Sequence, residues 1–367
     1  MSKRFLSPTT NEVQSGNEPH DGTFADRQVC YHTISRVVDR RFVFGDEERE
    51  TFRMFMRMYE RFTGCRVLTY CVMSNHFHLL LEVPPGPSVL SDEELLERLR
   101  CINSKAFVAT VEQELMRARK EGDAEAAAEI HARFTYRMHN LGEFMKTLLQ
   151  RFTRWFNRKH ERTGTLWEER FKSVLVESGT ASRTIAAYID LNPVRAGMVS
   201  DPSEYRWSGY GEAVGSGKKG NGKKAREGLV RACMRHRGEG FDAERWRDVS
   251  RIYRQAMGLA LGRKSSNSKI QTSMKTGVSK NTAEMLASKD NETVLPDLSM
   301  AKMLRCRVRY FTDGAVIGSK EFVNGVFADA RNRFSERRTD GARRMRGSGK
   351  AAAGMLWTVR DLRLGIG

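Results

Sequence analysis

No two of the six cysteines (Cys30, Cys65, Cys71, Cys101, Cys233, Cys306) form a Cys-x-x-Cys pair. That absence argues against a zinc ribbon and suits a reducing compartment. No apolar run approaches the ~20 residues of a membrane span. The N-terminus is polar and has no signal-peptide core, and no internal repeat is visible. These absences predict a soluble, cytoplasmic protein without a membrane partner. Acidic residues are also short: 45 against 63 Lys and Arg, a formal charge of +18 and a pI near 9.9. Such an excess favours a polyanionic partner. The 367 residues are enough for two or three domains, and a 40% hydrophobic content is enough for a sizeable core.

What is present divides along the chain. Residues 1–26 are polar and read as a mobile leader. Val29 to Val38 is β-branched and strand-like. Asp46 reads as a helix N-cap, followed by Phe52, Phe55, Tyr59 and Phe62 at helical spacing and a stop at Gly64. Arg66 to Val72 is a second strand, which turns through Ser74-Asn75 into a third. The order strand–helix–strand–strand opens a ferredoxin-like sheet. Residues 90–137 read as a helical insertion. Asn140 opens a capping-box helix with a continuous apolar stripe through Leu141, Phe144, Leu148, Phe152 and Phe156. The domain at 27–212 is followed by a Gly/Lys-rich linker at 213–228 and a helical segment at 229–262. A flexible stretch at 263–295 precedes a small C-terminal unit at 296–335, with strands at Cys306–Tyr310 and Ala315–Ile317, a turn at Asp313-Gly314 and a helix capped by Ser319. Residues 336–367 form a basic tail.

The chemistry concentrates in the third strand, His76-Phe77-His78-Leu79-Leu80-Leu81-Glu82-Val83. Side chains alternate faces along a strand, so Phe77, Leu79, Leu81 and Val83 share the core face while His76 and His78 share the other. Two residues at strand rise put their α-carbons about 6.7 Å apart, close enough for two imidazoles to converge on one metal ion. Further on, Lys146, Gln150, Arg151, Arg154, Arg158 and Lys159 line the polar faces of the Asn140 helix and suit phosphate contact. Trp167 and Phe171 alternate with Arg170 and Lys172, a pattern that suits stacking on unpaired bases. Arg195 lies in a loop that can approach a phosphate.

Several of these words in one order resemble a known family. They are Tyr31-His32-Thr33-Ile34-Ser35-Arg36, Met73-Ser74-Asn75-His76-Phe77-His78, Phe156-Asn157-Arg158-Lys159-His160, Arg162-Thr163-Gly164-Thr165-Leu166-Trp167, Tyr188-Ile189-Asp190-Leu191-Asn192-Pro193-Val194-Arg195-Ala196-Gly197 and Tyr205-Arg206-Trp207-Ser208. Together they resemble the HUH single-tyrosine transposases, specifically the group associated with repetitive extragenic palindromes. The resemblance covers Tyr31 to Tyr210, about half the chain.

It implies an α+β fold of the HUH endonuclease type: a ferredoxin-like antiparallel sheet with packed helices, here followed by a basic C-terminal extension of mixed α/β character. It implies a single-stranded or hairpin DNA partner, with a homodimer left open. It also implies a divalent metal, Mg or Mn, on His76 and His78, and transfer of a DNA strand through a phosphotyrosine. The resemblance sets the nucleophile five residues before the asparagine matched by Asn157. Here that residue is Phe152, which has no hydroxyl, so covalent cleavage is expected to be impaired. The alternative is a domesticated DNA-binding protein or regulator that does not cut. The third metal ligand is expected one turn beyond the nucleophile. Phe156 stands there and cannot ligate, which leaves Asn157. Of the other tyrosines, Tyr136 and Tyr188 have nothing in the sequence to orient them toward the histidines.

Overall fold

A computed structural model describes residues 29–86, 90–215, 222–234, 243–260, 309–312, 315–333, 336–339, 341–345 and 356–359. The leader at 1–26 and the stretch at 263–295 lie outside them.

The first strand, β1 (Val29–Arg36), leads to α1 (Asp46–Thr63). Gly45 is the N-cap, and Asp46 instead joins Glu47 and Glu48 in the first turn, at the positive end of the helix dipole. α1 ends at Gly64, whose φ of 73° is left-handed and favours glycine. β2 (Arg66–Val72) and β3 (His76–Glu82) form an antiparallel hairpin, and β3 also pairs antiparallel with β1. An insertion of three helices follows: α2 (Asp92–Arg100), α3 (Lys105–Glu121) and α4 (Ala124–Thr135). Then α5 (Leu141–Lys159) crosses to β4 (Lys172–Glu177), which pairs antiparallel with β1. The order β2-β3-β1-β4, with α1 and α5 as crossovers, is the expected ferredoxin-like arrangement.

The two sheet faces carry separate cores. One joins Phe77, Leu79 and Leu81 of β3 to Phe52 and Met56 of α1 and to Phe144, Leu148 and Phe152 of α5. The other joins Leu80 to α6 (Thr180–Asp190), α9 (Lys223–Met234) and α10 (Ala243–Ala260). Between these helices lie α7 (Asn192–Arg195) and α8 (Gly209–Gly215). α8 and α9 take up both ends of the expected linker, leaving 216–222 between them. Gly228 lets α9 approach β2: a Cβ there would sit 2.5 Å from the main-chain oxygens of Val67 and Leu68.

Asp190 ties this second layer together. Its buried carboxylate accepts from Tyr253 Oη at 2.7 Å, Thr69 Oγ1 at 3.0 Å and the Tyr210 amide at 3.1 Å. Burial still raises its pKa to about 7.

The C-terminal unit does not stand apart. It comprises α11 (Arg309–Thr312), β5 (Val316–Gly318), α12 (Lys320–Asp329), β6 (Arg343–Arg344) and β7 (Trp357–Val359). β5 pairs parallel with β4, so one sheet runs β2-β3-β1-β4-β5-β7-β6. Ser319 caps α12 as expected, its Oγ accepting from the Phe322 amide. The strand expected at 306–310 is a helical turn at 309–312 instead, and 306–308 lie outside the described residues. The expected partner strand is present as β5, but it pairs with β4 and β7. Part of the basic tail forms β6 and β7.

Candidate active site: a buried histidine pocket

β3 places His76 and His78 on the sheet face opposite Phe77 and Leu79, with ring centroids 5.1 Å apart. The alternation expected from the sequence holds. β1 supplies two further groups to that face. Its register sets Arg36 across from His76 and Ile34 across from His78, so His32 is the diagonal neighbour of His78. His32 Nε2 lies 3.0 Å from His78 Nδ1, and His32 Nδ1 lies 2.9 Å from the Phe311 carbonyl oxygen of α11. His76 Nδ1 lies 2.7 Å from Asn75 Oδ1. The Asn75 amide is oriented in turn by donating to the Arg40 carbonyl at 2.9 Å.

α6 closes the pocket. The Tyr188 ring meets His78 edge-on at 5.7 Å and His32 at 6.0 Å. The Phe311 ring packs on Tyr188 at 4.7 Å, and the Arg195 guanidinium sits 5.3 Å from the Tyr188 ring centroid. Tyr188 is 2% exposed and His78 3%. Asn192 stands four residues beyond Tyr188. Its Nδ2 donates back to the Tyr188 and Ile189 carbonyls, so the amide oxygen is the atom it has to offer.

The electrostatics suit ligation and an anionic partner. Burial lowers the pKa of His76 to about 4, with the Arg36 charge a second cause. Burial lowers His32 to about 4, partly offset by the bond to the Phe311 carbonyl. His78 falls well below the ordinary imidazole range through burial, then the charges of His76, His32, Arg36 and Arg195. The imidazoles are therefore neutral near pH 7, the state a metal ligand needs. Among the described residues no group of three or more His, Cys, Asp or Glu side chains is arranged for a metal. A site here would be the imidazole pair completed by another donor.

Phe152 is not in this pocket. It lies fully buried on the other sheet face, its ring 5.3 Å from both Phe44 and Phe52 and 6.0 Å from Trp167. The reason is register along α5: Phe152 falls on the apolar stripe that packs on α1 and the Phe77 side of β3. Asn157 is likewise removed from the histidines. It closes the loop after α5, donating to the Gly164 carbonyl at 2.9 Å and accepting from Arg162 at 3.1 Å.

The expected DNA-contact residues divide. Arg151 donates to the Ile102 carbonyl and lies over the Phe55 ring, a packing role against the insertion. Lys159 pairs with Glu47 and Glu48. Trp167 is partly buried against the core: its indole N–H donates to Thr153 Oγ1 at 2.9 Å and its ring packs on Phe77 at 5.6 Å. Arg154, Arg158 and Arg170 are exposed, as is Lys172, which pairs with Glu169. Only Arg195 reaches the pocket. Tyr136 is 60% exposed on the insertion. His32, Arg36, Tyr188 and Asn192 all sit within the motifs already quoted, but only strand register and helix packing reveal which face they share.

Residues 26–119 match a family model described as "Transposase IS200 like". That segment holds His32, His76 and His78. Among solved structures, the chain is similar to a REP-associated tyrosine transposase bound to a REP hairpin, at 15% identity and a TM-score of 0.31, over 54% of this chain and 86% of that one. No curated protein matches.

Proposed function

From the IS200-like transposase match over residues 26–119 and the pocket chemistry, we propose that this chain cuts and rejoins single-stranded or hairpin DNA, with Tyr188 as the nucleophile. One observation carries the reading: Tyr188 packs against His78 on the sheet face of His76, with Arg195 over its ring. Phe152, on the opposite face, then has no bearing on cleavage.

In the proposed step, the Tyr188 oxygen forms a bond to phosphorus and gives up its proton. The bond from phosphorus to the 3′ oxygen breaks, and that oxygen leaves as a hydroxyl after taking a proton. The product is a 5′-phosphotyrosine, which a second strand's 3′ hydroxyl resolves. Arg195 and Arg36 hold the phosphate and balance its charge. His76 and His78 fit a divalent ion, since both are neutral and both have Nδ1 engaged, and Asn192 would supply the third donor. A bound ion would polarise the scissile phosphate as a Lewis acid. Two imidazoles favour manganese over magnesium, which prefers oxygen ligands.

A second reading, binding without cutting, is favoured by the 2% exposure of Tyr188 beneath Phe311. One experiment separates them. Labelled hairpin DNA is incubated with manganese and the full chain, then run on a denaturing gel. Cleavage predicts a shifted, covalent band that disappears in Tyr188→Phe. A hairpin that binds wild type but gives no covalent band supports the second reading instead.

A further inference from the structure

We infer that His32 is a positioning residue that sets the tautomer of His78, and that the C-terminal unit anchors this relay through the Phe311 carbonyl. The inference rests on the reading of His76 and His78 as metal ligands.

A carbonyl oxygen only accepts, so the 2.9 Å contact from Phe311 requires a proton on His32 Nδ1. A neutral imidazole carries one N–H, which leaves His32 Nε2 as an acceptor. The 3.0 Å contact to His78 Nδ1 then requires the proton on His78. His78 is thus left with its lone pair on Nε2, the atom a metal takes. The opposite tautomer of His78 would set two lone pairs against each other in a dry site, since His32 is fully buried.

His76 reaches the same state by a separate route. Its Nδ1 faces Asn75 Oδ1, an acceptor held in place by the bond from the Asn75 amide to the Arg40 carbonyl. Both imidazoles therefore offer Nε2, one through a local asparagine and the other through a chain 279 residues long in sequence, from Phe311 to His32. A second-neighbour bond of this kind fixes ring orientation as well as tautomer. The C-terminal strands extend the sheet, and α11, just before them, completes the relay.

The test uses the full chain labelled with 15N-histidine, free of metal, at pH 7.5. Long-range 15N–1H correlation reads each tautomer. His32, His76 and His78 are all expected protonated at Nδ1. In His32→Phe, the His78 signals move away from that pattern while those of His76 stay, a contrast that general misfolding would not produce. Manganese titration by calorimetry should show affinity weakened by about 10–100-fold in His32→Phe. His32→Gln keeps an acceptor and a donor at the end of the side chain and should recover most of it.

Protonation of His78 at Nε2 in wild type overturns the inference. So does wild-type manganese affinity in His32→Phe. Should His32→Phe fail to fold, the wild-type tautomers and His32→Gln decide in the same sense. A wild-type protein that takes up no manganese refutes the metal reading itself, and the inference falls with it. Manganese uptake with the wrong tautomer refutes the inference alone.

Discussion

Adding one hydroxyl to Phe152 separates two accounts of where the chemistry lies. Phe152 has no exposed surface, and its ring is enclosed by Phe44, Phe52, Trp155, Phe156 and Trp167. Of the two indole N–H groups bordering that cage, the one on Trp167 already serves Thr153. A tyrosine hydroxyl placed there is buried without a partner, at a cost of roughly 1–3 kcal/mol. For a domain of this size that lowers the melting temperature by roughly 2–12 °C. Thermal unfolding followed by circular dichroism measures the shift, and the denaturing gel with labelled hairpin DNA measures chemistry in the same preparation. Phe152→Tyr is expected to lose stability and to leave the covalent yield of wild type unchanged. The double variant Phe152→Tyr, Tyr188→Phe is expected to form no adduct. An unchanged melting temperature would mean that position 152 opens to water. An adduct from the double variant would move the nucleophile back to α5 and refute the assignment of Tyr188.

Three other outcomes follow from the geometry. Trp167→Ala should cost up to roughly 3 kcal/mol of stability in a urea titration, because the partly buried indole packs on the core at Phe77. Arg195→Ala should weaken hairpin binding and reduce the salt slope of log K by about 0.7–0.9, the loss of one phosphate contact, in a fluorescence titration across salt. Asp190, raised from 3.8 to about 7 by burial, contributes stability that is fully present below pH 3.8 and lost as pH rises through about 7. Asp190→Asn should remove that slope, worth up to roughly 4 kcal/mol between pH 4 and 7, when the difference from wild type is followed by denaturant unfolding.

The local pattern of the chain carried its fold a long way. The alternation in β3 was sufficient to separate His76 and His78 from Phe77, and the period of α5 was sufficient to put Phe152 on an apolar stripe. Both inferences use one element at a time. The pocket is made differently. His32 enters it only because β1 pairs with β3 in a register that sets Ile34 opposite His78, and a shift of one residue would turn His32 to the other core. Tyr188 enters because α6 packs on that same face. Neither fact is written in the spacing of either segment. The C-terminal strands were equally hidden, since β5 is three residues long and its partners are β4, some 140 positions earlier, and β7.

The stripe on α5 held more information than its resemblance to a nucleophile position. A residue that packs on α1 and the Phe77 side of β3 is, by the alternation of β3, excluded from the face of His76 and His78. Phe152 could therefore not be both a stripe residue and a neighbour of the histidine pair. The same exclusion applies to Trp155 and Phe156, which share its layer. Any helix acting with the histidines must lie on the opposite side of the sheet, and among the described helices α6 packs on β3 there. α6 carries a single tyrosine, Tyr188, and its helical continuation carries Asn192 and Arg195 within seven residues. The helical share of the pocket thus follows from one strand's parity and one helix's side of the sheet.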